Sequence, residues 1–181
     1  MDTKRLYVDF HVLQTVPPSC VNRDDTGSPK TAVYGGAVRA RVSSQAWKHA
    51  MRQAFVEESL LDEEDVGKRT KKVTELVEKE IAALAPEKDA AKLAKKTLDN
   101  AGIKNDEKGT KALFFISQAQ IKALATLAVA DDIEDKKAYK EALQKALRKN
   151  PSVDIALFGR MVADDPSLKF DAAAQVAHSI S

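Results

Sequence analysis

The chain has a single cysteine, Cys20, among its 181 residues. No internal disulfide can form, and a thiolate zinc cluster lacks its ligands. No glycine-rich phosphate loop with its lysine is present, so nucleotide hydrolysis finds no support. No apolar run of signal-peptide type occurs near the start; Met1-Asp2-Thr3-Lys4-Arg5 leads directly into an alternating pattern. These absences predict a cytoplasmic protein that uses no membrane, no metal and no cofactor. The most local absence is the most informative. From Thr26 to Val56 there is no aspartate or glutamate, although the whole chain balances 29 basic against 27 acidic side chains.

The acid-free window holds Lys30, Arg39, Arg41, Lys48 and Arg52, with His49 among them. A nearly neutral chain that strips every acid from one stretch keeps that stretch attractive to anions. Thr31 to Tyr34 and Ala37 to Val42 read as short extended pieces broken at Gly35-Gly36. Ser43 or Ser44 then caps a helix running to about Leu60. In that helix Trp47, Met51, Ala54 and Phe55 share one face, predicted to be buried. Ser44, Lys48 and Arg52 follow at i, i+4 and i+8 on another. Hydroxyls, amides and cations in this order suit a phosphate backbone. From the residues alone, an ordinary solvated face fits the same pattern.

Upstream, Leu6, Val8, Phe10 and Val12 alternate with Tyr7, Asp9, His11 and Leu13, which predicts a half-buried strand ended by Pro17-Pro18. Cys20 to Pro29 is rich in turn formers and predicts a loop. From Glu57 to Asn150 the composition turns to Lys, Glu, Asp and Ala with helical periodicity. Val73, Leu76, Val77, Ile81 and Leu84 mark one helix, stopped by Pro86. Leu93, Ala94 and Leu98 mark a second, ended near Gly102. Ile121, Leu124 and Leu127 mark a third, capped by Ser117; Leu143 and Leu147 mark a fourth, before Pro151. Ala112 to Ile116 fits a buried strand and the buried face of a helix equally well. Val153 to Met161 is apolar again, and Ala172, Val176 and Ile180 keep helical spacing. The organisation expected is therefore 1–56 as a first core portion, 57–150 as an inserted helical lobe and 151–181 as a return to the core.

Catalytic alternatives have little to rest on. Cys20 could pair with His11 or His49, but no pattern marks either pairing, and a lone cysteine is usually structural. The pairs Asp24-Asp25, Asp131-Asp132 and Asp164-Asp165 invite a metal, yet adjacent carboxylates in loops are mostly caps and solvated turns. The first pair precedes the basic segment, so a carboxylate there could assist RNA cleavage. His178 has no sequence-near partner.

Three blocks together resemble a known family. They are Asn22-Arg23-Asp24-Asp25; Tyr34-Gly35-Gly36 through Arg41-Val42-Ser43-Ser44-Gln45 to Lys48 and Ala50-Met51-Arg52; and Asp154-Ile155-Ala156-Leu157-Phe158-Gly159-Arg160-Met161. Their order and content resemble the CasC family, the backbone subunit of the type I-E CRISPR Cascade complex. Phe10-His11-Val12-Leu13 and Pro18-Ser19-Cys20 fit the same pattern, and the likeness spans the chain around a divergent helical middle.

The resemblance implies an α+β fold: a modified RRM-like (ferredoxin-like) palm carrying a helical fingers insertion and a thumb-like hairpin. It implies a prokaryotic, non-catalytic protein that polymerises head to tail with copies of itself along a CRISPR RNA, beside other Cascade subunits. The guide then meets a target DNA strand by base pairing, so the protein reads backbone and shape. Carried over by position, Lys30, Arg41, Ser43, Ser44, Gln45, Lys48, His49, Arg52 and Arg160 are implied RNA contacts. Met161 is the implied wedge against a displaced base. Asn22, Arg23 and Asp24 are implied to shape the groove or a subunit contact. Full family members are about twice this length, so the chain is expected to be an N-terminal portion, with thumb and closing palm strands after Ser181. The competing expectation is an RNA-cleaving type III-like relative using Asp24 or Asp25.

Overall fold

The computed structural model describes residues 6–106, 109–130, 135–162 and 165–181. The fold is mixed α+β and divides into two units: residues 1–46 with 178–181, and residues 47–177.

In the first unit, β1 (Thr31–Tyr34) and β2 (Ala37–Val42) form an antiparallel hairpin in the register Thr31↔Ala40 to Tyr34↔Ala37. Gly35 and Gly36 make its two-residue turn with φ of 62° and 76°. Two consecutive positive φ values define the turn whose twist matches a hairpin, and glycine adopts them without a Cβ penalty. β7 (Ser179–Ile180) adds a third strand, pairing Arg41↔Ile180 and Val42↔Ser179. The helical spacing at Ala172, Val176 and Ile180 therefore does not end in a helix. The edge of β2 offers unpaired backbone groups, and the chain end satisfies them: Ser181 N donates to Ala40 O at 3.1 Å, and Ala40 N donates to Ser181 Oγ at 3.1 Å.

The strand expected over Leu6 to Leu13 is also absent. That segment is exposed coil with no ladder partner among the described residues. Alternation favours a strand only when a neighbouring strand and a covering layer take up its backbone and its apolar face. Neither meets it here.

α1 (Ser44–Glu57) follows β2 directly. In the second unit come β3 (Lys68–Thr70), α2 (Val73–Leu84), α3 (Ala90–Ala101), β4 (Asn105–Asp106), β5 (Gly109–Thr110), β6 (Phe114–Ile116), α4 (Gln118–Val129), α5 (Lys136–Arg148) and α6 (Val153–Phe158). The ambiguous stretch resolves as a strand: β6 pairs antiparallel with β3, Arg69 facing Phe115. The four periodic helices form as expected. Ser117 caps α4 by accepting from Gln120 N, while the Gln120 side chain returns to Ser117 N. Gly102 closes α3 in the left-handed conformation.

The core lies among these helices. Val73, Val77 and Ile81 of α2 meet Leu98 of α3, Phe114 and Ile116 of β6, Ile121 and Leu124 of α4, and Leu143 and Leu147 of α5. Each such side chain contributes about 1.5–3 kcal/mol on burial. Of residues 151–181, expected to return to the first core portion, 178–181 lie in the first unit and 151–177 in the helical one.

Candidate nucleic-acid interface

Within the first unit, Asn22 organises the basic hairpin. Its side-chain Oδ1 accepts from Ser43 N at 2.9 Å, and its backbone O accepts from Lys30 N at 2.8 Å. Lys30 O in turn accepts from Arg41 N at 2.9 Å. One loop residue thus ties the start of β1 to the start of α1. The loop beyond it is self-braced. Asp24 Oδ1 accepts from Thr26 N, Thr26 Oγ1 and Ser28 N at 2.7–2.9 Å. The Thr26 hydroxyl bond leads in holding this carboxyl below its ordinary value, and Lys30 adds a minor share. Arg23 donates from Nη1 to Gly27 O at 2.7 Å, closing the same loop.

The cations Lys30, Arg41 and Lys48 make no ion pair among the described residues. Gln45 and His49 are exposed, and Lys48 is half-buried. Of the two roles expected of it, helix cap and RNA contact, Ser43 shows the first. It is buried, and its hydroxyl accepts from Ala46 N at 3.2 Å. It is the cap of α1 rather than a surface contact, because the first turn of a helix has orphan N–H groups to satisfy. Ser44 N is likewise occupied, donating to His178 Nδ1 at 2.9 Å. This gives His178 a structural partner that no local sequence pattern announced.

In the second unit the helix faces differ from the expected pair of stripes. No residue of α1 is fully buried. Phe55 stacks on Phe158 with centroids 6.3 Å apart. Arg52 joins this apolar side instead of standing apart from it: its guanidinium lies 4.9 Å from the Phe158 ring and 5.2 Å from the Phe115 ring. Its Nε stands 3.8 Å from Oδ2 of Asp154, a carboxylate 1% exposed. Asp154 Oδ1 accepts from Ser152 Oγ at 2.6 Å, Gly67 N at 2.9 Å and Ile155 N at 3.0 Å. Gly67 is required at this junction. A Cβ there would meet Ser152 Oγ at 2.6 Å and the Phe115 ring at 2.7 Å. Asp154, Phe115 and Phe158 were not singled out from the sequence. The only trace was Asp154's place at the head of the block ending in Met161, where a charged residue interrupts an apolar run.

Arg160 and Met161 are adjacent in sequence and opposite in environment. Met161 is 87% exposed, whereas Arg160 is 4% exposed. The Arg160 guanidinium donates to Leu168 O, Phe115 O, Gln120 Oε1 and Leu147 O, and lies over the Phe114 ring. Burial alone pushes it down to about 10. The expectation that Arg160 touches RNA is therefore corrected. The end of α5 leaves carbonyls without helical donors, and Arg160 with Gln120 supplies them: Gln120 Nε2 donates to Leu147 O and Lys149 O. Among the described residues no group of three metal-ligating side chains occurs, and no helix is long and apolar enough to cross a membrane. Asp131, Asp132 and Asp164 lie outside the described residues.

A sequence model of the CT1975-like protein family matches residues 8–181. The chain belongs to this family. Two solved chains are similar to it over nearly its whole length. One, described as a CRISPR RNA-guided surveillance complex, is 32% identical with a TM-score of 0.57, covering 93% of this chain and 56% of the other. The second, described as the same kind of complex in a pre-nicking state, is 30% identical with a TM-score of 0.57, covering 90% of this chain and 49% of the other. No curated protein matches. This family member thus spans about half the length of the solved chains it resembles. Its small antiparallel sheets and helices agree with an RRM-like palm plus a helical insertion.

Proposed function

We propose that the protein acts as a CasC-type, type I-E backbone subunit of a Cascade complex, binding CRISPR RNA without cleaving it. Copies polymerise head to tail along the guide, beside other Cascade subunits, and present it for pairing with a target DNA strand in antiviral defence. The observation that carries this reading is the acid-free basic segment: Lys30, Arg41 and Lys48 make no ion pair among the described residues, and Lys30 touches Asp24 only through a minor electrostatic share. Unpaired lysine and arginine at the surface are the footprint of phosphate-backbone binding. Base identity goes unread, as a variable guide requires. Exposed Met161 is the group suited to wedge between bases.

A backbone role without catalysis also suits Asp24, whose Oδ1 is committed to three donors of its own loop. The deciding experiment expresses the protein and asks whether it co-purifies with RNA of uniform length. The bound RNA is then incubated with Mg²⁺. Retention of intact RNA is expected, with affinity falling steeply with salt. Regularly spaced cuts that vanish in Asp24→Ala or Asp25→Ala variants would replace this reading with the RNA-cleaving one.

A further inference from the structure

Arg52 is held on three sides. Phe115 and Phe158 flank its guanidinium, and Nε points toward Asp154 Oδ2 at 3.8 Å. Both Nε and that Oδ2 are buried without a hydrogen bond. Asp154 cannot turn away, because its other oxygen is fixed by Ser152, Gly67 and Ile155. The side chain of Arg52 remains 31% exposed, and its two terminal nitrogens show no acceptor among the described residues. A guanidinium held between two rings beside a fixed carboxylate, with its terminal N–H groups turned to no acceptor among the described residues, is a pre-oriented fork for an anion.

A second guanidinium stands on the same face. Arg69 of β3 is directly opposite Phe115 of β6 in the antiparallel register. Residues paired in this way project to the same side of the sheet, with Cβ atoms about 4.5–5.5 Å apart. Phe115 faces Arg52, so Arg69 does too. Arg69 is exposed and makes no ion pair among the described residues. Its nearness is felt at Arg52, which burial first holds below the ordinary arginine value; Asp154 opposes that shift and Arg69 adds to it. Two guanidinium groups against one carboxylate leave one positive charge, which matches one phosphodiester.

We propose that Arg52 and Arg69 form a clamp for one phosphate of an RNA backbone, with Asp154 as the residue that positions Arg52. The proposal rests on the RNA-binding reading above and extends it to β3, a strand no sequence motif pointed to. The test follows fluorescein-labelled single-stranded RNA of arbitrary sequence by anisotropy through a salt series. Arg69→Ala is expected to bind about tenfold more weakly, as loss of a charge-assisted contact implies. Its salt slope should shrink by about 0.7, the share of one phosphate on a single strand. Arg69→Lys should keep the slope. Asp154→Asn separates positioning from bulk charge: removing an acid tightens RNA binding by simple electrostatics, whereas loss of positioning weakens it. Weaker binding by a folded Asp154→Asn supports the clamp, and tighter binding overturns the positioning role. Superimposable isotherms and slopes for wild type, Arg69→Ala and Arg69→Glu overturn the clamp while leaving the RNA-binding reading intact. Absence of any salt-dependent binding by the wild type overturns both.

Discussion

Replacing Arg160 with alanine should unfold the helical unit far more readily than it disturbs any surface contact. Four acceptors lose this donor together: Leu168 O and Phe115 O lose their side-chain partner, while Leu147 O keeps Gln120 Nε2 and Gln120 Oε1 keeps Ser117 N. An orphaned buried polar group costs about 1–3 kcal/mol. Removing the guanidinium also relieves its own desolvation, which is substantial because no carboxylate accompanies it among the described residues. With two acceptors orphaned, two weakened and the relieved desolvation set against them, the loss is about 2–4 kcal/mol. At about 2–4 °C per kcal/mol for a chain of this size, the melting temperature should fall by about 4–16 °C. Circular dichroism melts and urea titrations measure this directly. Arg160→Lys should fall between wild type and alanine, since one ammonium cannot span the same fork of carbonyls. A melt of Arg160→Ala within about 2 °C of wild type, together with weakened RNA binding, would refute this reasoning; an exposed residue usually changes stability by less than about 0.5 kcal/mol.

Lys48→Ala should show the reverse profile, with RNA affinity lowered in gel shifts and stability changed by less than about 0.5 kcal/mol. Gly67→Ala should lower stability by about 1–3 kcal/mol in urea titrations, because the added Cβ collides with Ser152 and Phe115 at the Asp154 cradle. The loop from Asn22 to Ser28 should loosen in acid. The folded-state pKa of Asp24 lies below its ordinary 3.8, so its ordering contribution is present above that value and lost as pH falls through the folded pKa. Amide exchange at Thr26 and Ser28 should accelerate there, and the pH dependence should disappear in Asp24→Asn.

Where local chemistry carried the whole signal, the sequence alone was enough. The glycine pair Gly35-Gly36 marked the ends of β1 and β2 to the residue, and its positive φ values close the turn between them. Ser117, Gly102 and Pro86 delimited helices because caps and breakers act within a few residues. The missing acids between Thr26 and Val56 likewise marked the basic segment without reference to any fold. Tertiary structure decided what depends on a distant partner. Arg160 and Met161 look alike as site candidates in a linear reading, yet the carbonyls at the end of α5 draw one into the core while the other stays in solvent. His178 became an acceptor because it met the backbone N–H of Ser44, far away in sequence. Leu6 to Leu13 had the alternation of a strand but no neighbour to hydrogen-bond. The burial of Asp154 beneath Arg52, Phe115 and Phe158 joins α1, β6 and α6 across about a hundred residues of chain, a separation that short-range periodicity does not reach.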